Sequence, residues 1–153
     1  MTALVARTAL TTAEMRPIVD AHRELADQLS RVVAGEVRFD GYSRMLYSTD
    51  ASLYQIQPVG VVIPKREEDV QATVEIAAKH NVPILPRGSG SSLAGQAVGA
   101  ALVLDFSKYM ADVIRVEPEA RTATVQPGML VTPLNRVLGK HGLMLGPDPA
   151  SAD

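Results

Sequence analysis

No cysteine occurs in the 153 residues of this chain. That absence excludes a disulfide scaffold, a zinc site built on thiolates and a thiol nucleophile, and it fits a reducing compartment. Tryptophan is missing too, and aromatic residues make up only 4%, too few for a base-stacking platform. There is no surplus of positive charge: 15 Lys and Arg stand against 17 Asp and Glu, a formal net charge of −2. A protein that neutralises a nucleic-acid backbone needs such a surplus, so no nucleic acid is expected as a partner. No apolar run approaches the roughly 20 residues that span a bilayer, and Met1 to Ala13 lacks the apolar core of a signal peptide. The chain therefore reads as cytoplasmic, with peripheral membrane association left open. What is present is the composition of a folded domain, 46% hydrophobic and 21% charged, in a length that suits one domain or a large part of one.

Hydrophobic periodicity divides the chain into elements. From Pro17, the residues Ile18, Ala21, Leu25, Leu29, Val32 and Val33 share one face at steps of three and four, which predicts an amphipathic helix to about Val33. Ser43 is placed to cap a short helix of Met45, Leu46 and Tyr47, with Asp50 and Ser52 as loop residues. The β-branched run Val59 to Ile63 predicts a buried strand ended by Pro64. Glu67 to His80 predicts a helix, with acids in its first turn, Lys79 and His80 in its last, and Val70, Val74, Ala77 and Ala78 as its apolar stripe. Val82 to Pro86 predicts the next strand, which completes a βαβ unit. Ala101 to Phe106 predicts a further strand in the same sheet. The runs 113–117 and 122–126 alternate around Pro118-Glu119-Ala120-Arg121 as a β-hairpin. Thr132 and Pro133 are expected as N-cap and first residue of a last helix, closed by Gly142. The fold class expected is α+β, a small βαβ-containing sheet flanked by helices near 17–33, 67–80 and 132–141. Residues 1–41 read as an N-terminal helical segment and 42–153 as the main domain. The loop-like ending from Gly146 to Asp153 leads to the expectation that the sequence stops inside that domain.

The most informative segment is Pro86-Arg87-Gly88-Ser89-Gly90-Ser91-Ser92-Leu93-Ala94-Gly95-Gln96. No charged residue lies between Gly88 and Leu104, and four of the 11 glycines fall there. Glycine permits positive φ and close backbone approach to a ligand. Successive backbone N–H groups in such a turn form a nest for anions; the Ser hydroxyls add donors and Arg87 a positive charge. A phosphate or pyrophosphate is the natural occupant. A Walker loop is excluded because no Gly-Lys-Ser/Thr follows. The fingerprint GxGxxG is matched only at Gly88 and Gly90, with Leu93 in its third place, and the stretch before Ala101 is too short for the helix that fingerprint requires. Asp105 only weakly resembles the ribose-binding acid of that fold.

At these residues the chain resembles the FAD-linked oxidases of the p-cresol methylhydroxylase and vanillyl-alcohol oxidase superfamily, in the branch of the glycolate oxidase flavoprotein subunit and the D-lactate dehydrogenases. The resemblance runs from about Tyr42 to the end and is carried by VVIPKREEDVQATVEIAAKHNVPILPRGSGSSLAGQ, then VQPG, then GLMLGPDPAS. It implies the first subdomain of a PCMH-type FAD-binding domain. By resemblance, Pro86, Arg87, Gly88, Ser89, Gly90, Ser91 and Ser92 hold the FAD pyrophosphate, with Gly95 and Gln96 flanking. Pro127 and Gly128 lie beside the cofactor, and Pro147, Asp148, Ala150 and Ser151 border the flavin ring or its ribityl chain. Some members attach FAD covalently through a His inside the loop; Ser91 stands where that His would sit, so noncovalent FAD is implied. The resemblance also implies oxidation of a 2-hydroxy acid such as glycolate or D-lactate, an electron acceptor, self-association or pairing with other subunits, and catalytic and metal-binding parts that do not fit within 153 residues.

Two rival classes stand beside this reading: a non-redox module that holds another phosphorylated ligand in the same loop, and a structural domain whose loop packs on a partner. His22, His80 and His141 are expected in structural roles, His80 and His141 at helix C-termini, and no metal site is expected. Met129 and Met144 are expected to fill gaps in the core.

Overall fold

The computed structural model describes residues 12–147 and 149, with side chains described from His22 onward. Helix α1 spans Thr12–Val32 and is followed by strand β1, Glu36–Arg38. Then come the short helix α2 (Gly41–Leu46), strand β2 (Gly60–Ile63), helix α3 (Glu67–Lys79) and strands β3 (Ile84–Arg87) and β4 (Leu102–Asp105). Strands β5 (Val113–Glu117) and β6 (Thr122–Val125) precede helix α4 (Val131–Leu138), which runs into a 3-10 turn over Gly139–His141. This is the mixed architecture that the periodicity predicts.

Four strands form one sheet in the order β1-β2-β4-β3. Strands β2, β4 and β3 are parallel, and β1 runs antiparallel along the β2 edge. The strand–helix–strand unit β2-α3-β3 is therefore present, but β4 lies between its two strands. The reason is burial. Leu102, Val103, Leu104 and Asp105 are all buried, as are all four residues of β2, and strands shielded on both faces belong in the middle of a parallel sheet. Alternation divides their side chains. Val62, Leu102 and Leu104 face the layer of α1 and α3, where they meet Leu25, Leu29, Ile76 and Ala77. Val61, Ile63 and Val103 face the other way and pack with Tyr47, Leu85 and Tyr109. Strands β5 and β6 make a separate hairpin, whose turn is closed by Arg121 at φ 53°.

Several local expectations are corrected. Helix α1 begins at Thr12 rather than Pro17; Ala13, Glu14, Met15 and Arg16 are strong helix formers and carry it back across the proline. Of its expected apolar face, Leu25 and Leu29 are buried but Val32 is 51% exposed, and the side chains of Ile18 and Ala21 lie outside the described residues. Helix α2 is capped by Asp40, whose carboxylate accepts from the Ser43 N–H at 2.8 Å, so Ser43 is inside the helix and buried. The inner stripe of α3 is Asp69, Thr73, Ile76 and Ala77, while Val74 and Ala78 face outward. Thr73 takes a core position because its hydroxyl donates to the Asp69 carbonyl at 2.6 Å, which leaves no polar group unpaired. Leu130, not Thr132, is the N-cap of α4, and Pro133 sits at the third helical position, where the missing N–H is still one of the orphans of a helix start. Met144 is 68% exposed; together with Met129 it lines an open groove instead of filling the core.

Candidate functional site

Because β2, β3 and β4 are parallel, their carboxyl ends share one edge of the sheet, the edge at which parallel α/β sheets present ligands. The glycine-rich loop leaves β3 at that edge and returns to the start of β4 without forming a helix. Gly90 and Gly95 take φ of +72° and +79°, the left-handed conformation that side chains disfavour. Among the described residues, the backbone N–H groups of Ser89, Gly90, Ser91, Ser92 and Leu93 donate to no protein acceptor. Further along, Ser92 Oγ accepts from the N–H of Ala94 and Gln96, at 3.3 and 3.1 Å, and donates to Gln96 Oε1. Ser92 and Gln96 thus close the far half of the loop on itself, while Ser89 and Ser91 are exposed. A run of unpartnered amides with no carboxylate inside it suits a phosphoryl group.

Arg87 has a different environment from the one expected of an anion ligand. Its Nη1 donates to the carbonyls of Ala97 at 2.9 Å and Tyr47 at 3.4 Å, and its Nη2 to the carbonyl of Thr49 at 2.9 Å. The guanidinium carbon stands 5.2 Å from the centre of the Tyr47 ring. The Tyr47 hydroxyl donates to Asp105 Oδ2 at 2.5 Å, and burial, followed by that hydrogen bond to the carboxylate, pushes the phenol above its ordinary range. Asp105 Oδ1 accepts from the Ser107 N–H at 2.8 Å. This carboxylate is buried and engaged, unlike a ribose-binding acid. Asp50 accepts from Ser52 N–H at 2.8 Å and from Ala97 N–H at 3.3 Å. The Ser52 side-chain hydrogen bond, ahead of the Ser52 and Ala97 amides, holds Asp50 below the usual carboxylate range against partial desolvation.

Gly128 reaches the same edge. Its N–H donates to the Met110 carbonyl at 2.9 Å, and a side chain there would lie 2.2 Å from the Phe106 carbonyl oxygen, just past β4. Pro127 lines a cleft with Phe106 and Met110. Pro147 is exposed, next to a groove of about 600 Å³ between the hairpin, α4 and 143–146. Asp148, Ala150 and Ser151 lie outside the described residues. So the structure brings Pro86 to Gln96 and Pro127-Gly128 to one edge. Tyr47, Asp50 and Tyr54 enter the site unforeseen, and Asp105, weighed as a ribose-binding acid, enters it as the partner of Tyr47. Alternation accounts for Arg87 and Asp105, because Leu85 and Val103 face the Tyr47 layer and the residues two further on face it too; no local pattern marks Tyr47, Asp50 and Tyr54.

The histidines stay apart. Burial, then the Arg44 charge, lowers the pKa of His22; His80 caps the end of α3 and His141 ends the 3-10 turn. Among the described residues no group of three His, Cys, Asp or Glu could hold a metal ion, and no helix is long and apolar enough to cross a membrane.

Comparison with known proteins points to one family. Residues 58–153 match the family described as FAD binding domain. The glycolate oxidase subunit GlcD of Bacillus subtilis (strain 168) is 37% identical over 134 residues, 84% of this chain and 28% of that protein. The D-2-hydroxyglutarate dehydrogenase of Escherichia coli (strain K12) is 32% identical, over 72% of this chain and 11% of that protein. The mitochondrial D-lactate dehydrogenase [cytochrome] of Kluyveromyces lactis is also 32% identical, over 72% and 20%. The chain thus spans less than a third of each relative. Among solved structures, alkyldihydroxyacetonephosphate synthase superposes with a TM-score of 0.74 at 27% identity, over 85% of this chain and 27% of that one. p-Cresol methylhydroxylase superposes at 0.59 and 24% identity, over 94% and 28%, a likeness of fold.

Proposed function

Since this chain belongs to the FAD-binding domain family of flavin-linked oxidoreductases, we propose that its glycine-rich loop is the cradle of the FAD pyrophosphate and that the protein it serves oxidises a small 2-hydroxy acid. The observation that carries the reading is the run of unpartnered amides from Ser89 to Leu93 at the carboxyl edge of a parallel sheet. Gly88, Ser89, Gly90, Ser91 and Ser92 bind through backbone N–H groups, with the exposed hydroxyls of Ser89 and Ser91 as further donors. Donors to a charged acceptor contribute about 1.5–3 kcal/mol each when well aligned. Gly90 is needed because positive φ turns the backbone there. Gly95 and Gln96 close the loop, Pro127 and Gly128 border it, and Pro147, Asp148, Ala150 and Ser151 continue toward the flavin. When bound, FAD supplies the redox chemistry, taking up the hydride equivalent that the substrate loses; the residues of this chain orient the cofactor and donate hydrogen bonds to its phosphates. Residues 88–100 contain no His, Cys or Tyr, so the loop itself offers no point of covalent attachment for a flavin.

The substrate class follows the relatives, which are named for glycolate, D-lactate and D-2-hydroxyglutarate. One of them is itself a subunit, which supports pairing with other chains. FAD titrated into the isotope-labelled chain should shift the amide signals of Gly88 to Ser92. The affinity of the chain alone should be weak, because a ligand gripped at one charged group gains little against the several kcal/mol that immobilising it costs. Flavoprotein containing this chain, mixed anaerobically with glycolate, D-lactate or D-2-hydroxyglutarate, should lose its flavin absorbance band. Silence at the loop amides overturns the cradle, and a band that survives all three acids overturns the substrate class.

A further inference from the structure

The geometry points to the segment 47–54 as a buttress that sets the shape of the anion cradle, with Arg87 acting as a positioning residue rather than as a ligand of the anion. The inference rests on the cradle reading above and adds the residues that hold the cradle in place. Arg87 pairs with Asp105 and Leu85 with Val103 across β3 and β4. Side chains two apart share a face, and Leu85 and Val103 lie on the Tyr47 side of the sheet. The backbone therefore delivers the guanidinium to the face covered by Tyr47, where it bridges the carbonyls of Tyr47, Thr49 and Ala97. Two of those carbonyls belong to the segment and the third to the far end of the loop.

The segment grips the loop at three other points. The Ala51 N–H donates to the Gly90 carbonyl at 3.0 Å. The Asp50 carboxylate accepts from Ala97 N–H. The Tyr54 ring lies against Gly95, where a Cβ would stand 2.6 Å from its Cδ2. Gly90 itself lies on the guanidinium, with a Cβ position 2.4 Å from Nη2. The segment is in turn folded on itself: Ser48 is 1% exposed, its hydroxyl donates to the Met45 carbonyl at 2.7 Å, and its own carbonyl accepts from Ile56 N–H at 2.9 Å. Loop positions 90, 95 and 97 are thus fixed from one side, and the unpaired amides begin within the same loop. Asp50 sharpens the argument. A carboxylate beside an anion site opposes binding by charge alone, so its contribution here is to hold Ala97.

The test uses the isotope-labelled chain, with hydrogen exchange at the Ala51 and Ala97 amides and FAD-induced shifts at 89–93 as separate readouts. Lysine keeps the positive charge but lacks the planar fork that spans several carbonyls. Arg87→Lys should therefore behave like Arg87→Ala: exchange at Ala51 and Ala97 faster by roughly tenfold, a weaker FAD response, and unchanged protection in β2 and β4. Asp50→Ala should weaken the FAD response although it removes a negative charge. Arg87→Lys with parental protection and parental FAD response would overturn the proposal, because charge would then be what matters. A stronger FAD response in Asp50→Ala would overturn it as well. Should the parent chain give no FAD response, the cradle reading fails by itself, and the exchange rates in Arg87→Lys still decide the buttress.

Discussion

Asp69 shows how much one side chain can hold. It sits in the first turn of α3, where an acid is normally read as a surface charge complementing the helix dipole, yet it is only 1% exposed. Its Oδ1 accepts from Ala34 N–H and its Oδ2 from Lys65 N–H, both at 2.9 Å, and Arg66 Nε stands 3.5 Å away. One carboxylate thereby ties the exit of α1 to the turn between β2 and α3. Burial pushes its pKa up, but the Lys65 and Ala34 amides and the Arg66 charge outweigh burial and leave it below the ordinary range. Replacing it with alanine strands two amides, and a stranded buried donor costs about 1–3 kcal/mol. Asp69→Ala should therefore lose about 2–4 kcal/mol in urea unfolding. Asp69→Asn retains one acceptor oxygen and should fall between the two. An alanine variant as stable as the parent would remove Asp69 from this role.

Among the elements, those with a strong local pattern were legible in advance: the β-branched run of β2, the charge-polarised α3, the alternating hairpin. Strand β1 was not. Its three residues, Glu36-Val37-Arg38, carry no pattern of their own, and its edge place is set by pairing with β2 and by Glu36 reaching Lys108 and Tyr109, contacts too distant in sequence for any local window to register. The insertion of β4 between β2 and β3 was illegible for the same reason. The site divides likewise. The cradle was readable because glycines and the lack of charge mark it, whereas the buttress is assembled from residues about 40 positions upstream of the loop. Two glycines test the distinction between a glycine needed for packing and one needed for a ligand. Nothing lies within 4 Å of a Cβ built on Gly88, and its φ is not in the left-handed region, so Gly88→Ala should leave the melting temperature unchanged. Gly128 is wedged against the carbonyls of Phe106 and Met110, at 2.2 and 2.9 Å from a Cβ, and its N–H is tied to one of them. Overpacking against backbone costs about 1–3 kcal/mol. Gly128→Ala should melt lower by several degrees, and equal melting of the two variants would refute the assignment.

For the whole molecule, the shifted acids and His22 act in one direction. Glu36 is held down to about 2, first by the Lys108 hydrogen bond, then by Tyr109 and Arg38. Asp40, Asp50 and Asp69 also lie below their ordinary values, and burial lowers His22. A group whose pKa is lower folded than unfolded adds stability above its unfolded pKa and loses it as pH falls through the folded one. For His22 the loss begins below about pH 6.5. For the acids it begins near pH 4 and continues downward. The melting temperature should therefore decline slightly below neutrality and steeply below about pH 4, with no compensating rise among these groups. Glu36 accounts for the deepest part of that decline, because it joins edge strand β1 to the residues just beyond β4. Comparing the parent with Glu36→Gln across pH isolates it. The ionised carboxylate makes the parent more stable at neutral pH. The gap should stay constant down to about pH 5, narrow as the unfolded-state carboxyl protonates near pH 4, and close toward pH 2. A gap independent of pH would mean that Glu36 contributes by packing and not by its charge.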